Sequence, residues 1–211
     1  MTSSTVGTDP GVEGNSRLTG LVGLVLVVLL FAEGITILSI RGLITLHVFL
    51  GLLLVPPVAL KIVTTSYRFA RYYTGAAPYV RRGPPHPVLR LIGPVLIAVT
   101  VALLGSGVWL LVLGPQSSDL VLLLHKGSFV VWFGLTAVHV LAHVRETARL
   151  SARDWLPARS APGRVPVATR GRGTRAGAVA LALVAGVALG AVVTPTATAW
   201  TDRPAQSEGH R

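Results

Sequence analysis

Residues 43–63, LITLHVFLGLLLVPPVALKIV, and residues 120–144, LVLLLHKGSFVVWFGLTAVHVLAHV, are apolar runs that carry almost no charge. Crossing about 30 Å of hydrocarbon takes roughly twenty helical residues, so both read as membrane spans. Working outward, three more runs reach that length: Leu18–Ile40, Leu91–Leu113 and Ala176–Thr196. Of the 211 residues 51% are hydrophobic and 13% charged, with the apolar content in uninterrupted blocks. Blocks of this kind argue for a bilayer rather than for the amphipathic spacing of a soluble core.

The linkers divide sharply. Ser39–Gly42 and Gly114–Asp119 are short and carry few charges, so spans one and two form one tight hairpin and spans three and four another. The segment after span two carries Arg68, Arg71, Arg81, Arg82 and Arg90, and the segment after span four carries eight arginines from Arg145 to Arg175. Basic loops stay cytoplasmic. The chain is therefore expected to have a cytoplasmic tail at 1–17, a four-helix core at 18–150, a basic cytoplasmic linker at 151–175, a fifth span at 176–196 and an extracytoplasmic tail at 197–211. The first span lacks a small-residue cleavage pattern and reads as an uncleaved anchor. With arginine confined to such loops, the formal charge of +11 marks topology and does not indicate a nucleic-acid partner. Arginine-over-lysine usage with abundant Ala, Val and Gly suggests a bacterial plasma membrane.

Both quoted spans carry a histidine. His47 lies five residues past Gly42 and His125 six past Asp119. Spans two and four run the same way, so both imidazoles are expected about 8–9 Å below the outer start of their helices. An ionisable group inside a span is a functional-site candidate, and two imidazoles at one depth can take a haem iron from opposite sides. There is no cysteine, and Met1 is the one methionine. Thiolate clusters, covalent haem attachment and methionine ligation are thereby excluded.

His139 lies fourteen residues beyond His125, about 21 Å along the axis and about 40° from the same face. His143 returns to the His125 face. Metal ligation is thus assigned to His47, His125 and His139, with His143, closer to the interface, as a further cofactor-binding candidate. On span two the residue fourteen beyond His47 is Lys61, so a second haem near the cytoplasm would lack a facing histidine. Pro56 and Pro57 are expected to bend that half of the span. Lys126 and Arg41, at the outer edge, are candidates for haem propionates. Glu33 is the one acidic residue deep in a span, suited either to a proton path or quinol site or to an ion pair with Lys126. Tyrosines and arginines in Ser66–Gly75 read as interfacial anchors. Gly186 and Gly190 give the fifth span a small-xxx-small face, suited to packing or partner docking outside the core.

The histidine placement and four-span layout over residues 18–150 resemble the four-helix membrane cytochromes b, including the cytochrome-b561-like subunits of bacterial hydrogenases and formate dehydrogenases. That resemblance implies an all-α integral membrane protein with a four-helix haem-binding bundle plus a fifth C-terminal transmembrane helix. It implies haem b, one or two per chain. The expected role is to transfer electrons between the quinone pool and an extracytoplasmic or membrane redox enzyme subunit. No nucleotide-binding motif or catalytic-sized loop is present, so an electron-transfer subunit is favoured over a stand-alone ferric or quinone reductase. The competing reading is a haem-free polytopic membrane protein: a small transporter, assembly factor or scaffold.

Overall fold

The computed structural model describes residues 9–81, 87–116, 118–155 and 171–201; for 87–89, 142–155 and 201 it describes the backbone alone. Helix α1 (Pro10–Leu38) starts eight residues before the apolar run does. Asp9 caps it: its Oδ1 accepts from the N–H groups of Gly11 and Val12 at 2.9 and 3.3 Å. Pro10 occupies the first turn, where its missing N–H costs nothing. Residues 10–17, expected as tail, are therefore helix, tightened by the Arg17–Glu13 pair at 3.0 Å.

Ser39 alone separates α1 from α2 (Ile40–Tyr73). Its carbonyl accepts from both Gly42 and Leu43, and Leu43 leaves helical geometry at φ −119, ψ 16. This is where α2 kinks. Pro56 and Pro57, the expected bend, keep helical dihedrals. A proline supplies no N–H to the carbonyl four residues earlier, so Leu52 and Leu53 lose their intrahelical donors. Against that stretch lies α6 (Arg172–Val193), which buries Val179, Ala182, Gly186 and Gly190. A Cβ on Gly186 would overlap the Leu53 carbonyl oxygen, and one on Gly190 would meet the Phe49 ring at 2.8 Å. The small-residue face of the fifth span thus docks within the chain, on the helix that carries His47. It packs there outside the four helices that carry and hold the histidines, as a packing helix.

A short helix α3 (Ala77–Arg81) follows the Gly75 turn, whose φ of +75 suits glycine. Helices α4 (Pro87–Leu113) and α5 (Asp119–Trp155) form the second hairpin. Trp132 Nε1 on α5 donates to Thr100 Oγ1 on α4 at 3.0 Å, satisfying both groups where water is absent. The chain ends its described course in a 3₁₀ turn (Thr194–Ala197) and α7 (Thr198–Thr201).

Helix α1 packs on α2 and α5, α4 packs on α5 and touches α2, and α6 covers the far side of α2. Helices α2 and α5 are thus diagonal across a four-helix square. Leu21, Val22, Leu26, Leu54 and Val179 form the core where α1, α2 and α6 meet. The outer surface is apolar: Leu38, Leu120 and Leu141 are 86%, 82% and 78% exposed. Large aliphatic groups on that scale need lipid around them. Among the described residues five helices are long and apolar enough to cross a membrane and no strand occurs, so the chain is a helical multi-pass membrane protein.

Candidate functional site

His47 and His125 project from the two diagonal helices into the centre of the square. Their ring centroids stand 6.4 Å apart with planes at 84°. The other two helices hold the rings. On the α1 side, His47 Nδ1 is 2.9 Å from Glu33 Oε1 and 2.9 Å from Thr36 Oγ1. On the α4 side, His125 Nδ1 is 3.1 Å from the Leu103 carbonyl and 3.2 Å from Ser106 Oγ.

The direction of these bonds follows from chemistry. A carbonyl only accepts, so His125 Nδ1 carries the proton and donates it to Leu103. Ser106 donates its own proton to the same carbonyl at 2.9 Å, so its oxygen can accept from His125. Thr36 behaves alike: it donates to the Glu33 carbonyl at 2.6 Å and presents a lone pair to His47. Each histidine therefore faces a helical hydroxyl already bound to the carbonyl three residues back. In a neutral imidazole with Nδ1 protonated, Nε2 is the bare acceptor. Neither Nε2 has a hydrogen-bond partner among the described residues.

Small residues make room for the rings. A Cβ on Gly107 would stand 3.1 Å from His125 Cε1, and one on Gly51 would stand 3.6 Å from Glu33 Oε1. Behind His125, Val101, Gly105, Ser106, Trp109, Val121 and Leu124 border an apolar groove of about 460 Å³ between α4 and α5.

Other expected residues are placed differently. Glu33 pairs with His47 rather than Lys126, and its second carboxylate oxygen, Oε2, is buried with no hydrogen-bond partner among the described residues. His47 sits on the hairpin partner of α1 and reaches Glu33 directly, whereas Lys126 is exposed on α5. Arg41 is exposed as well, and neither cation is bonded to the histidine cluster. Lys61 Nζ donates to the Thr19 carbonyl on α1 at 2.7 Å, so it is occupied away from α5. His139 is half-buried on α5; the side chain of His143 lies outside the described residues, as do His86 and His210. Thr36, Leu103, Ser106 and Gly107 were not singled out from sequence. A hydroxyl within an apolar span, at the depth of each histidine, was the available signal.

Haem fits this donor set better than a bare metal ion does. Two metal–nitrogen bonds of about 2 Å in line, with about 1.1 Å from each ring centre to its nitrogen, would separate the centroids of a bis-imidazole site by about 6.2 Å. The ring centroids stand 6.4 Å apart, within reach of that separation. A bare ion asks for three or four protein ligands, and no group of three His, Cys, Asp or Glu is disposed for one among the described residues. A macrocycle that supplies its own nitrogens needs only axial donors. An Nδ1–H held by a carbonyl or carboxylate is also the usual support of a metal-ligating histidine.

No family model, curated protein or solved structure matches the chain.

Proposed function

We propose that this protein is a membrane electron carrier of the b-cytochrome type, in which His47 and His125 would hold one haem between α2 and α5. The observation that carries the reading is the pair of bare Nε2 atoms on rings 6.4 Å apart, each ring fixed through Nδ1 by a different neighbouring helix. When bound, the haem supplies one-electron redox chemistry. The chain's own residues do the rest: Leu103, Ser106, Glu33 and Thr36 fix the tautomer and orientation, and Gly107 admits the ring. The apolar shell excludes water, which tunes potential.

The electron-transfer role rests on the resemblance set out above and on the groove behind His125. That groove is an open apolar recess bordered by Ser106, where a lipid-soluble carrier such as a quinone would stand one hydrogen bond from the ring. One haem is favoured over two because Lys61 is committed to Thr19. Basic loops between spans two and three and between four and five put the amino terminus in the cytoplasm. A redox enzyme subunit is the natural partner.

The test is a reduced-minus-oxidised spectrum of the purified protein, with haem per chain from pyridine haemochrome. The reading requires a b-type band near one haem per chain that is lost in both His47→Ala and His125→Ala. Colourless protein after expression with ample haem would overturn it.

A further inference from the structure

We propose that Arg71, Arg81 and Arg90 form a binding site for the phosphate headgroup of anionic phospholipids at one rim of the bundle. The inference does not depend on haem.

In a five-span chain, residues before span one, between spans two and three and between spans four and five share one side. Assigning each ionisable residue to its nearer membrane face puts fifteen of the nineteen Lys and Arg and four of the eight Asp and Glu there. The opposite side holds four of each. The whole formal charge of +11 therefore sits on one face.

On that face the three arginines lie on elements that pack against one another, α2, α3 and α4. Gly75 turns the chain so that α3 folds back on the end of α2, where Tyr79 and Tyr67 meet with ring centroids 6.1 Å apart. This brings Arg81 to the α2 terminus that carries Arg71. From α4, Arg90 lies over the Tyr73 ring at 5.0 Å, and Tyr72 packs edge-on to Tyr73 at 5.3 Å. Stacking on a ring face holds a guanidinium while leaving its N–H edges open. All three arginines are exposed, and none has a carboxylate or hydrogen-bond partner among the described residues. The acidic side chains described on this face are otherwise engaged: Asp9 caps α1 and Glu13 pairs with Arg17.

Three unneutralised guanidinium forks at the level where the apolar surface ends are complementary to a row of phosphodiesters. Arginine matches phosphate through bidentate hydrogen bonds, and tyrosine belongs at headgroup depth. Each basic residue near an anionic surface strengthens attachment roughly fivefold at low salt. Three together should give a preference on the order of a hundredfold, weakened by screening.

The experiment uses the full-length protein reconstituted in phosphatidylcholine bilayers, with spin-labelled phosphatidylglycerol and spin-labelled phosphatidylcholine as probes of the motionally restricted lipid. Wild type should prefer phosphatidylglycerol at least fivefold at low salt, with the preference falling as salt rises. Equal association of the two lipids in wild type overturns the proposal without any variant. The triple change Arg71→Gln, Arg81→Gln, Arg90→Gln should remove most of the preference, while Arg71→Lys, Arg81→Lys, Arg90→Lys keeps part of it. An equal charge removal in the linker (Arg159→Gln, Arg164→Gln, Arg170→Gln) should leave most of the preference intact. Should the linker variant lose as much as the rim variant, the attraction is diffuse and the site is refuted. Displacement of phosphatidylglycerol by millimolar inorganic phosphate would instead identify a free-anion site. Unchanged far-UV helicity qualifies each variant.

Discussion

Gly186→Ala should loosen the fifth helix from the bundle although alanine is the better helix former. Its Cβ would stand 3.1 Å from the Leu53 carbonyl carbon and Cα, and closer still to the oxygen. These are backbone atoms, so no side chain can rotate away, and α6 must retreat from α2 by about 1 Å to restore contact distances. A gap of 0.5–1 Å forfeits about a quarter to a half of each van der Waals contact along the seam. With as many close atom pairs as one buried leucine makes, about 40–60 at about 0.1–0.2 kcal/mol each, the loss is about 1–6 kcal/mol. The helix-propensity gain of about 1 kcal/mol returns part of that. A net destabilisation of about 2 kcal/mol is expected, within the usual range for overpacking. The assay is SDS-titrated unfolding from detergent micelles followed by far-UV circular dichroism. Gly134→Ala serves as control, since its Cβ would meet nothing within 4 Å. Gly186→Ala as stable as wild type, or as stable as the control, would refute the tight α2–α6 seam.

Ser106→Ala and Thr36→Val each remove an acceptor for a histidine Nδ1–H, and a loss of haem affinity of about 10–100-fold is expected, read by haem transfer to apomyoglobin. Gly107→Ala should lower haem occupancy too, because the new methyl would press on His125 Cε1. Glu33→Gln replaces the carboxylate beside His47 with a neutral amide. Negative charge favours the oxidised state, so its removal should raise the midpoint in a potentiometric titration. Lys61→Met should leave the pyridine-haemochrome stoichiometry unchanged at one, since the ammonium is bound to Thr19; a drop would implicate Lys61 in a second haem.

The spans, both hairpins and the meeting of His47 with His125 were legible in the sequence, because helical rise converts residue counts into depth. Helix ends were less so. Apolar runs mark the hydrocarbon, whereas α1 begins where Asp9 and Pro10 supply a cap and α2 continues through polar residues to Tyr73. The partner of Glu33 was not readable: His47 and Lys126 lie at similar depth, and depth says nothing about rotation around each helix. Nor was the effect of Pro56 and Pro57. Two prolines in a span suggest a bend, but burial of Pro57 against neighbours keeps α2 helical there. The hydroxyls of Thr36 and Ser106 matter through the carbonyls three residues before them, a relation visible only once the helices face one another.

The carbonyl that Pro57 leaves without a donor has a further role. Gly186 nests against it, and four residues on, Gly190 rests on Phe49, two positions from His47. A slide of α6 by one turn would bring Ala182 or Gly190 to the Leu53 notch and move every other contact out of place. The last span therefore behaves as a detent: clicked into that notch, it sets how high and how far rotated α2 stands, and with it the elevation of one imidazole in the bilayer.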